Sequence, residues 1–437
     1  MQKLSLTPIL LSGGGRSGST QVMSLLGSDP AVAFDRHFPY ENRYLTYFAK
    51  FALLLQRPDL HQFLDPEQLF DFDYLGFGGS RPWPTYVPPY SPYVYLPRPD
   101  TGNWITKVWE LFCKRTIQQK PESAFYAEKA PVWLAPLLRQ FMQCFTIYNF
   151  RDPRDIFIST NAFIKKRNSL GFARSAEATD RDHARRLAHA FLYTFESYYA
   201  DRNRDDTLLL RYEDYVLNRP EVIEKLRKLT GAKKISDTNE PYLSEHATAR
   251  DVNQSVKRWE REAIPQEVVA LLEQHLQEEM PALGYPLSLG QPKHPVRSIS
   301  FAEGRAKLTA IDHSSHGYLE QKPDYAEAHI GGPDFHIFLP FDSFSATEVK
   351  EVWICVGGEI GRIFSLYWRG RDTRFSETCC INLAYEPSAH WTILSFPVGE
   401  HPEWSGTITN LRLDLFNSLV KPHKGIGRIR WVRLIDH

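Results

Sequence analysis

"PILLSGGGRSGSTQVMSLL", running from Pro8 to Leu26, decides the fold of the first part of the chain. Ile9, Leu10 and Leu11 form a short apolar run that suits a buried strand. Gly13, Gly14 and Gly15 permit a tight turn, and Thr20 to Leu26 have the apolar spacing of a helix. Strand, glycine loop and helix in that order place backbone N–H groups and the positive end of a helix dipole where an anion can sit, and glycines let its oxygens approach the main chain. Ser17, Ser19 and Thr20 add hydroxyls, and Arg16 adds a planar cation able to engage two oxygens at once.

The mononucleotide loop pattern is G-x-x-x-x-G-K-[ST]. Counted from Gly13, the chain meets both glycines and Thr20, but Ser19 stands in the lysine position and the basic residue is Arg16. Magnesium-dependent phosphoryl transfer thereby loses its usual cation on the terminal phosphates. The loop still favours a phosphate-like group.

A second segment, "FTIYNFRDPRDIFIST", makes the same point. Phe145 to Phe150 reads as a strand, Asp152 as an N-cap and Pro153 as the first helical residue. Arg151 then falls at the C-terminal end of a strand, the edge where open α/β sheets collect ligands. Ser159 follows about two helical turns after Pro153, within reach of the same phosphate. The plainer reading is a local salt-bridge cluster of Arg151, Asp152, Arg154 and Asp155 at a helix start.

Together the two segments resemble the sulfotransferase family. The matches are Arg16-Ser17-Gly18-Ser19-Thr20 to the loop that holds the 5′-phosphosulfate of 3′-phosphoadenosine 5′-phosphosulfate (PAPS), and Arg151-Asp152-Pro153-Arg154-Asp155 with Ser159 to the segment that holds its 3′-phosphate. Arginine in the loop is similar to the tyrosylprotein and bacterial glycan or lipid members rather than the cytosolic group. "YAEKAPVW" with Lys129, "LLLRYEDYV" with Tyr212 and "NQSVKRWERE" with Arg258 follow in the family's order. The resemblance covers roughly residues 6–285. It implies Gly15, Arg16, Ser17, Gly18, Ser19, Thr20, Arg151, Ser159, Tyr212 and Arg258 as donor-binding residues, Arg16 and Lys129 on the leaving phosphate, and no metal.

Sulfuryl transfer through a loose, in-line transition state asks the protein for positioning and charge stabilisation, and for a base to take the acceptor's proton. "AFDRHFPYENRYLTYF" offers Asp35, His37 and Glu41. Glu41 is the expected base, because P-x-E before an aromatic helix resembles the bacterial members and Glu41 with Arg43 resembles the E-x-R of the tyrosylprotein enzymes. His37 is the runner-up, with a suitable ordinary pKa. Asp35 is expected to pair with Arg36 or cap a turn.

The chain has 437 residues, enough for about two or three domains. Its 52 basic and 52 acidic side chains balance, so no global field argues for nucleic acid or an anionic membrane. Five cysteines without zinc-type spacing read as reduced thiols. No apolar run reaches the ~18 residues of a membrane span, and the chain enters its first strand without room for a signal peptide, so a cytoplasmic protein is expected.

Apolar spacing predicts helices over 103–120, 180–200, 219–230 and 265–280, and a strand over 207–211. The expected fold of residues 1–287 is therefore α/β, a P-loop-like, mostly parallel sheet flanked by helices. Residues 288–298 read as a linker. From 299 to 437, short β-branched and aromatic runs such as "EVWICVGG" and "GRIRWVRLIDH" predict an all-β sandwich, resembling the jelly-roll modules of carbohydrate-active proteins. Trp368, Trp391 and Trp404 are either glycan platforms or core. The proline- and aromatic-rich stretch "GFGGSRPWPTYVPPYSPYVYLPRPDTGN", with Trp83, Tyr86, Tyr90 and Tyr93, is either an acceptor wall or a packed loop.

The function expected is transfer of the sulfuryl group of PAPS to a hydroxyl of a carbohydrate or glycolipid. The rivals are a P-loop small-molecule kinase and a non-catalytic glycan-binding protein.

Overall fold

The computed structural model describes residues 5–55, 101–167, 178–237, 248–249, 251, 253–288, 297–302, 316–332, 335–358, 363–371, 374–384, 388–415 and 425–436. Contacts divide the chain into two units: Met1–Arg151 with Arg202–Val256, and Asp152–Asp201 with Lys257–His437. The first unit joins two stretches of chain that are far apart in sequence. Ser288 and Arg297 both fall inside the second unit.

The first unit is built on a parallel sheet. β1 (Thr7–Ser12) lies at its centre, between β3 (Phe125–Lys129) and β4 (Phe145–Phe150), with β2 (Val32–Ala33) outside β3 and β5 (Thr207–Arg211) outside β4. All four pairings are parallel. β1 is covered on both faces, as parallel strands are. Ile9 and Leu11 share a core with α1 (Ser19–Gly27), α7 (Tyr212–Leu217) and α8 (Arg219–Thr230). Leu10, pointing the other way by the two-residue period of a strand, shares one with α2 (Tyr44–Leu55), α3 (Thr101–Gln119) and α4 (Leu134–Leu138). The loop from β1 to α1 therefore opens at the C-terminal edge of the central strand. Lys129 and Phe150 end the two strands beside it.

The second unit combines helices with two antiparallel sheets. Its helices are α5 (Pro153–Arg167), α6 (Asp180–Asp201), α9 (Gln266–His275) and α10 (Glu279–Ala282). Its strands are β6 (Ser298–Ser300), β7 (Gly317–Gln321), β8 (Ala326–Ile330), β9 (His336–Leu339), β10 (Phe344–Ser345), β11 (Val349–Gly358), β12 (Ile363–Gly370), β13 (Cys380–Ala384), β14 (Ser388–Phe396), β15 (Thr407–Asp414) and β16 (Gly425–Asp436). One sheet runs β10-β15-β12-β13, with β9 on β15; the other runs β14-β11-β16-β8-β7, with β6 on β16. Ile337, Leu366 and Leu411 of the first share one core with Ala328, Ile354 and Leu434 of the second, which makes the pair a sandwich.

Trp368 and Trp404 belong to that core, and Trp391 is buried beside Arg428 and Arg430. None of the three is an exposed platform, so the core alternative is the correct one. The helix expected over 265–280 is two helices with a turn at 276–278. Pro281 explains the break, since its ring crowds the carbonyl four residues earlier, at Gln277. Among the described helices none is long and apolar enough to cross a membrane.

Candidate active site

Within the glycine loop the residues divide by what their backbones require. A Cβ at Gly13 would lie 2.5 Å from the carbonyl oxygen of Asn149 on β4, closer than atoms can approach. Gly18 has φ 89° and caps α1; a Cβ there would lie 2.3 Å from the Tyr212 ring. Among the described residues, a Cβ at Gly14 or Gly15 would meet no atom within 4 Å. The loop is thus held at its two ends and open in its middle. Arg16 turns it with φ 63°, and the Ser17 hydroxyl donates to the Gly14 carbonyl at 2.6 Å. Asn149 Nδ2 donates to the Ser17 carbonyl at 2.8 Å, tying the loop to the neighbouring strand.

Arg151, just past the end of β4, is buried and donates to the Arg16 carbonyl at 3.0 Å and the Ser255 carbonyl at 2.7 Å. Its guanidinium lies 4.4 Å from the Tyr212 ring centroid, and the Tyr212 hydroxyl meets Ser255 Oγ at 2.8 Å. Three segments read separately in the sequence therefore meet at the loop. The contribution of "NQSVKRWERE" to this cluster is Ser255, which the sequence did not single out.

Lys129 ends β3 with its side chain almost fully buried. Its Nζ donates to Thr20 Oγ1 at 2.9 Å, the Pro39 carbonyl at 2.7 Å and Glu41 Oε1 at 3.2 Å. Burial pulls its pKa down from the ordinary value, Glu41 opposes that pull, and Arg43 and Arg16 add to it. Lys129 thus brings an ammonium to the start of α1 from the neighbouring strand. Glu41, whose side chain is 52% exposed, is the acidic partner at the mouth of the loop.

His37 is 90% exposed at its side chain and meets Asp35 Oδ1 through Nδ1 at 2.7 Å. Asp35 also accepts from the His37 amide, Asn42 and Tyr44. Burial would raise its pKa, but these hydrogen bonds outweigh that and hold it at about 2. Asp35 organises a turn, as expected. It does not pair with Arg36, which donates to the Gly27 carbonyl instead.

Glu128, the strand neighbour of Lys129, is fully buried and was not anticipated. It accepts from the amides of Leu45 and Thr46, the Thr46 hydroxyl and the Tyr126 hydroxyl, so it caps the start of α2, which follows Glu41. Burial pushes it up to about 7 despite four donors.

Ser159 and Arg258 lie in the second unit, Ser159 buried on α5. Arg258 is buried and holds Glu262 with two hydrogen bonds of 2.7 and 2.8 Å. The local cluster at the start of α5 is real for Arg154, which bonds both oxygens of Asp152 and one of Glu273 and stacks on Trp259 at 3.7 Å. Asp152 caps α5 by accepting the Arg154 amide. Trp83, Tyr86, Tyr90 and Tyr93 lie outside the described residues. Among the described residues, Glu320, Glu327 and His329 have metal-ligand spacing, but the Lys322 ammonium sits 2.6 Å from Glu320.

No protein-family model matches the chain, and no curated protein sequence does. Solved structures similar to it include a sulfotransferase domain from the curacin biosynthetic pathway, at 14% identity and TM-score 0.36, covering 64% of this chain and 99% of that domain. Another is the sulfotransferase domain of the Synechococcus PCC 7002 olefin synthase, at 16% identity and TM-score 0.35, covering 66% and 98%. A low affinity xylan binding module from Roseburia intestinalis matches at 12% identity and TM-score 0.22, covering 29% of this chain and 94% of the module.

Proposed function

We propose that this chain transfers the sulfuryl group of PAPS to a hydroxyl of a carbohydrate or glycolipid, with the P-loop-like glycine loop of the first unit holding the donor. The observation that carries the reading is the Lys129 ammonium, bonded at once to Thr20 at the start of α1 and to the Glu41 carboxylate. A cation for a leaving phosphate and a base for an incoming hydroxyl stand side by side at the mouth of an anion-binding loop. Buried polar atoms around the loop without a hydrogen-bond partner among the described residues, Gln21 Oε1, Asn149 Oδ1 and Arg151 Nε, fit a site made for a polar ligand.

In the proposed reaction the acceptor oxygen attacks sulfur in line, and the bond from sulfur to the 5′-phosphate oxygen breaks with its electron pair staying on the phosphate. Lys129, Arg16 and the loop amides hold that growing charge, and Glu41 takes the acceptor's proton. His37 is the alternative base. Because the transferred group carries less charge than a phosphoryl, protein cations suffice for the step. Arg151, whose guanidinium stacks on the Tyr212 ring, is the proposed contact to the donor's 3′-phosphate. The acceptor class draws on the aromatic stretch before residue 103 and on the attached sandwich, taken as jelly-roll-like.

Calorimetric titration with adenosine 3′,5′-bisphosphate, without metal, tests the donor. Binding is expected in the wild type and at least about tenfold weaker in Arg16→Ala and Arg151→Ala, the scale of one lost charge-assisted contact. A preference for magnesium ATP would move the assignment to a kinase. Absence of nucleotide binding with retained sugar binding would move it to a glycan binder.

A further inference from the structure

An ammonium has three N–H donors, and those of Lys129 are all placed: Thr20 Oγ1 at 2.9 Å, the Pro39 carbonyl at 2.7 Å and Glu41 Oε1 at 3.2 Å. To bond a phosphate oxygen, Lys129 has to release one of them. Thr20 is fixed in the first turn of α1, and Pro39 lies in a turn closed by the Tyr40 amide donating to the His37 carbonyl at 2.7 Å. Glu41 makes the longest of the three bonds and is half-exposed, so water can replace what it loses.

We propose that the donor phosphate and the Glu41 carboxylate compete for the same N–H of Lys129, so that donor binding releases the general base. The inference rests on the function proposed above. Before the donor arrives, Glu41 is ion-paired, and one of its carboxylate oxygens is held on the Lys129 ammonium. When the phosphate takes the ammonium, that restraint goes, and the base is freed only when there is a sulfuryl group to transfer. Linkage makes the effect reciprocal: whatever Glu41 gains from Lys129 is subtracted from donor affinity. Removing the Glu41 charge should therefore tighten donor binding, which a base acting on the acceptor alone would not do.

A double-mutant cycle separates this exchange from simple repulsion between Glu41 and a phosphate. Adenosine 3′,5′-bisphosphate is titrated into the wild type, Glu41→Gln, Lys129→Met and the double variant, with Lys129→Gln used where Lys129→Met does not fold. Glu41→Gln is expected to bind about threefold more tightly, the scale of a half-exposed ion pair. Lys129→Met is expected to bind about tenfold more weakly, and adding Glu41→Gln to it should change nothing further. No tightening in Glu41→Gln, or the same tightening in the Lys129→Met background, overturns the exchange and leaves the donor assignment standing. Absence of binding in all four proteins overturns both.

Discussion

Gly13 and Gly18 are glycine because nothing else fits the backbone, whereas Gly14 and Gly15 are glycine in open space. An alanine at Gly13 collides with the Asn149 carbonyl, and one at Gly18 adds a strained positive φ to a collision with Tyr212. Each is expected to cost about 3 kcal/mol of unfolding free energy, read by denaturant melts. Gly14→Ala and Gly15→Ala should stay within about 1 kcal/mol of the wild type yet weaken bisphosphate binding at least about tenfold, because the methyl occupies the space left for an anion. If those two bind normally, the middle of the loop is not the anion site. At this scale the sequence was informative where a motif names a residue: Arg16, Lys129, Arg151 and Tyr212 do converge around one loop. Ser255 and Glu128 escaped notice because their roles arise from where the fold brings a backbone carbonyl or a helix start, which no local spacing encodes.

Among the elements, the capping of α2 by Glu128 connects stability to the candidate site, since the turn before α2 carries Glu41. In Glu128→Ala the buried amides of Leu45 and Thr46 lose their acceptor. A destabilisation of about 2–3 kcal/mol is expected. The pH dependence has a definite sign. The folded carboxyl titrates at about 7 against an ordinary 4.5, so the folded state holds the proton more tightly. Its contribution is fully present below pH 4.5 and is lost as pH rises to about 7. Glu128→Gln should flatten this decline relative to the wild type in melts taken across that window, and an unchanged difference between pH 4.5 and pH 7 would show that Glu128 is not its source. Elements with uniform apolar patterns were legible: the strands at 145–150 and 207–211 and the helix at 219–230 match their expected bounds. β3 was not anticipated, because its Glu128 and Lys129 read as surface residues although both are buried. The hairpin β7–β8 was missed for a related reason, since "GYLEQ" and "AEAHI" alternate polar with small or apolar residues rather than forming an apolar run.

On the scale of the whole chain, composition forecast a parallel α/β part followed by an antiparallel sandwich, and both are present. What composition could not forecast is that the sandwich shares a unit with helices that precede it in sequence. Buried charge makes that association specific. Glu196 of α6 accepts from Arg430 at 2.5 Å and Trp431 at 2.8 Å, both on β16, and Arg433 of the same strand donates to Glu279 of α10 at 2.7 Å and to the His275 carbonyl at 3.0 Å. These charges are distant in sequence and balance only in the fold, so neither pattern nor net charge reveals them. Burial raises the pKa of Glu196 and Arg430 opposes the rise, so an unpaired Glu196 would be left costly in either protonation state. Arg430→Met is therefore expected to destabilise the second unit by about 3 kcal/mol or more. Adding Glu196→Gln, which removes the orphaned charge and keeps an acceptor for Trp431, should recover most of the loss. No loss in Arg430→Met would mean that apolar packing alone holds the helices to β16, and no recovery on adding Glu196→Gln would mean that the loss does not come from the orphaned charge. The expected pattern, a severe single variant and a mild double one in thermal melts of the full chain, would mean that the sandwich strand is matched to these helices residue by residue.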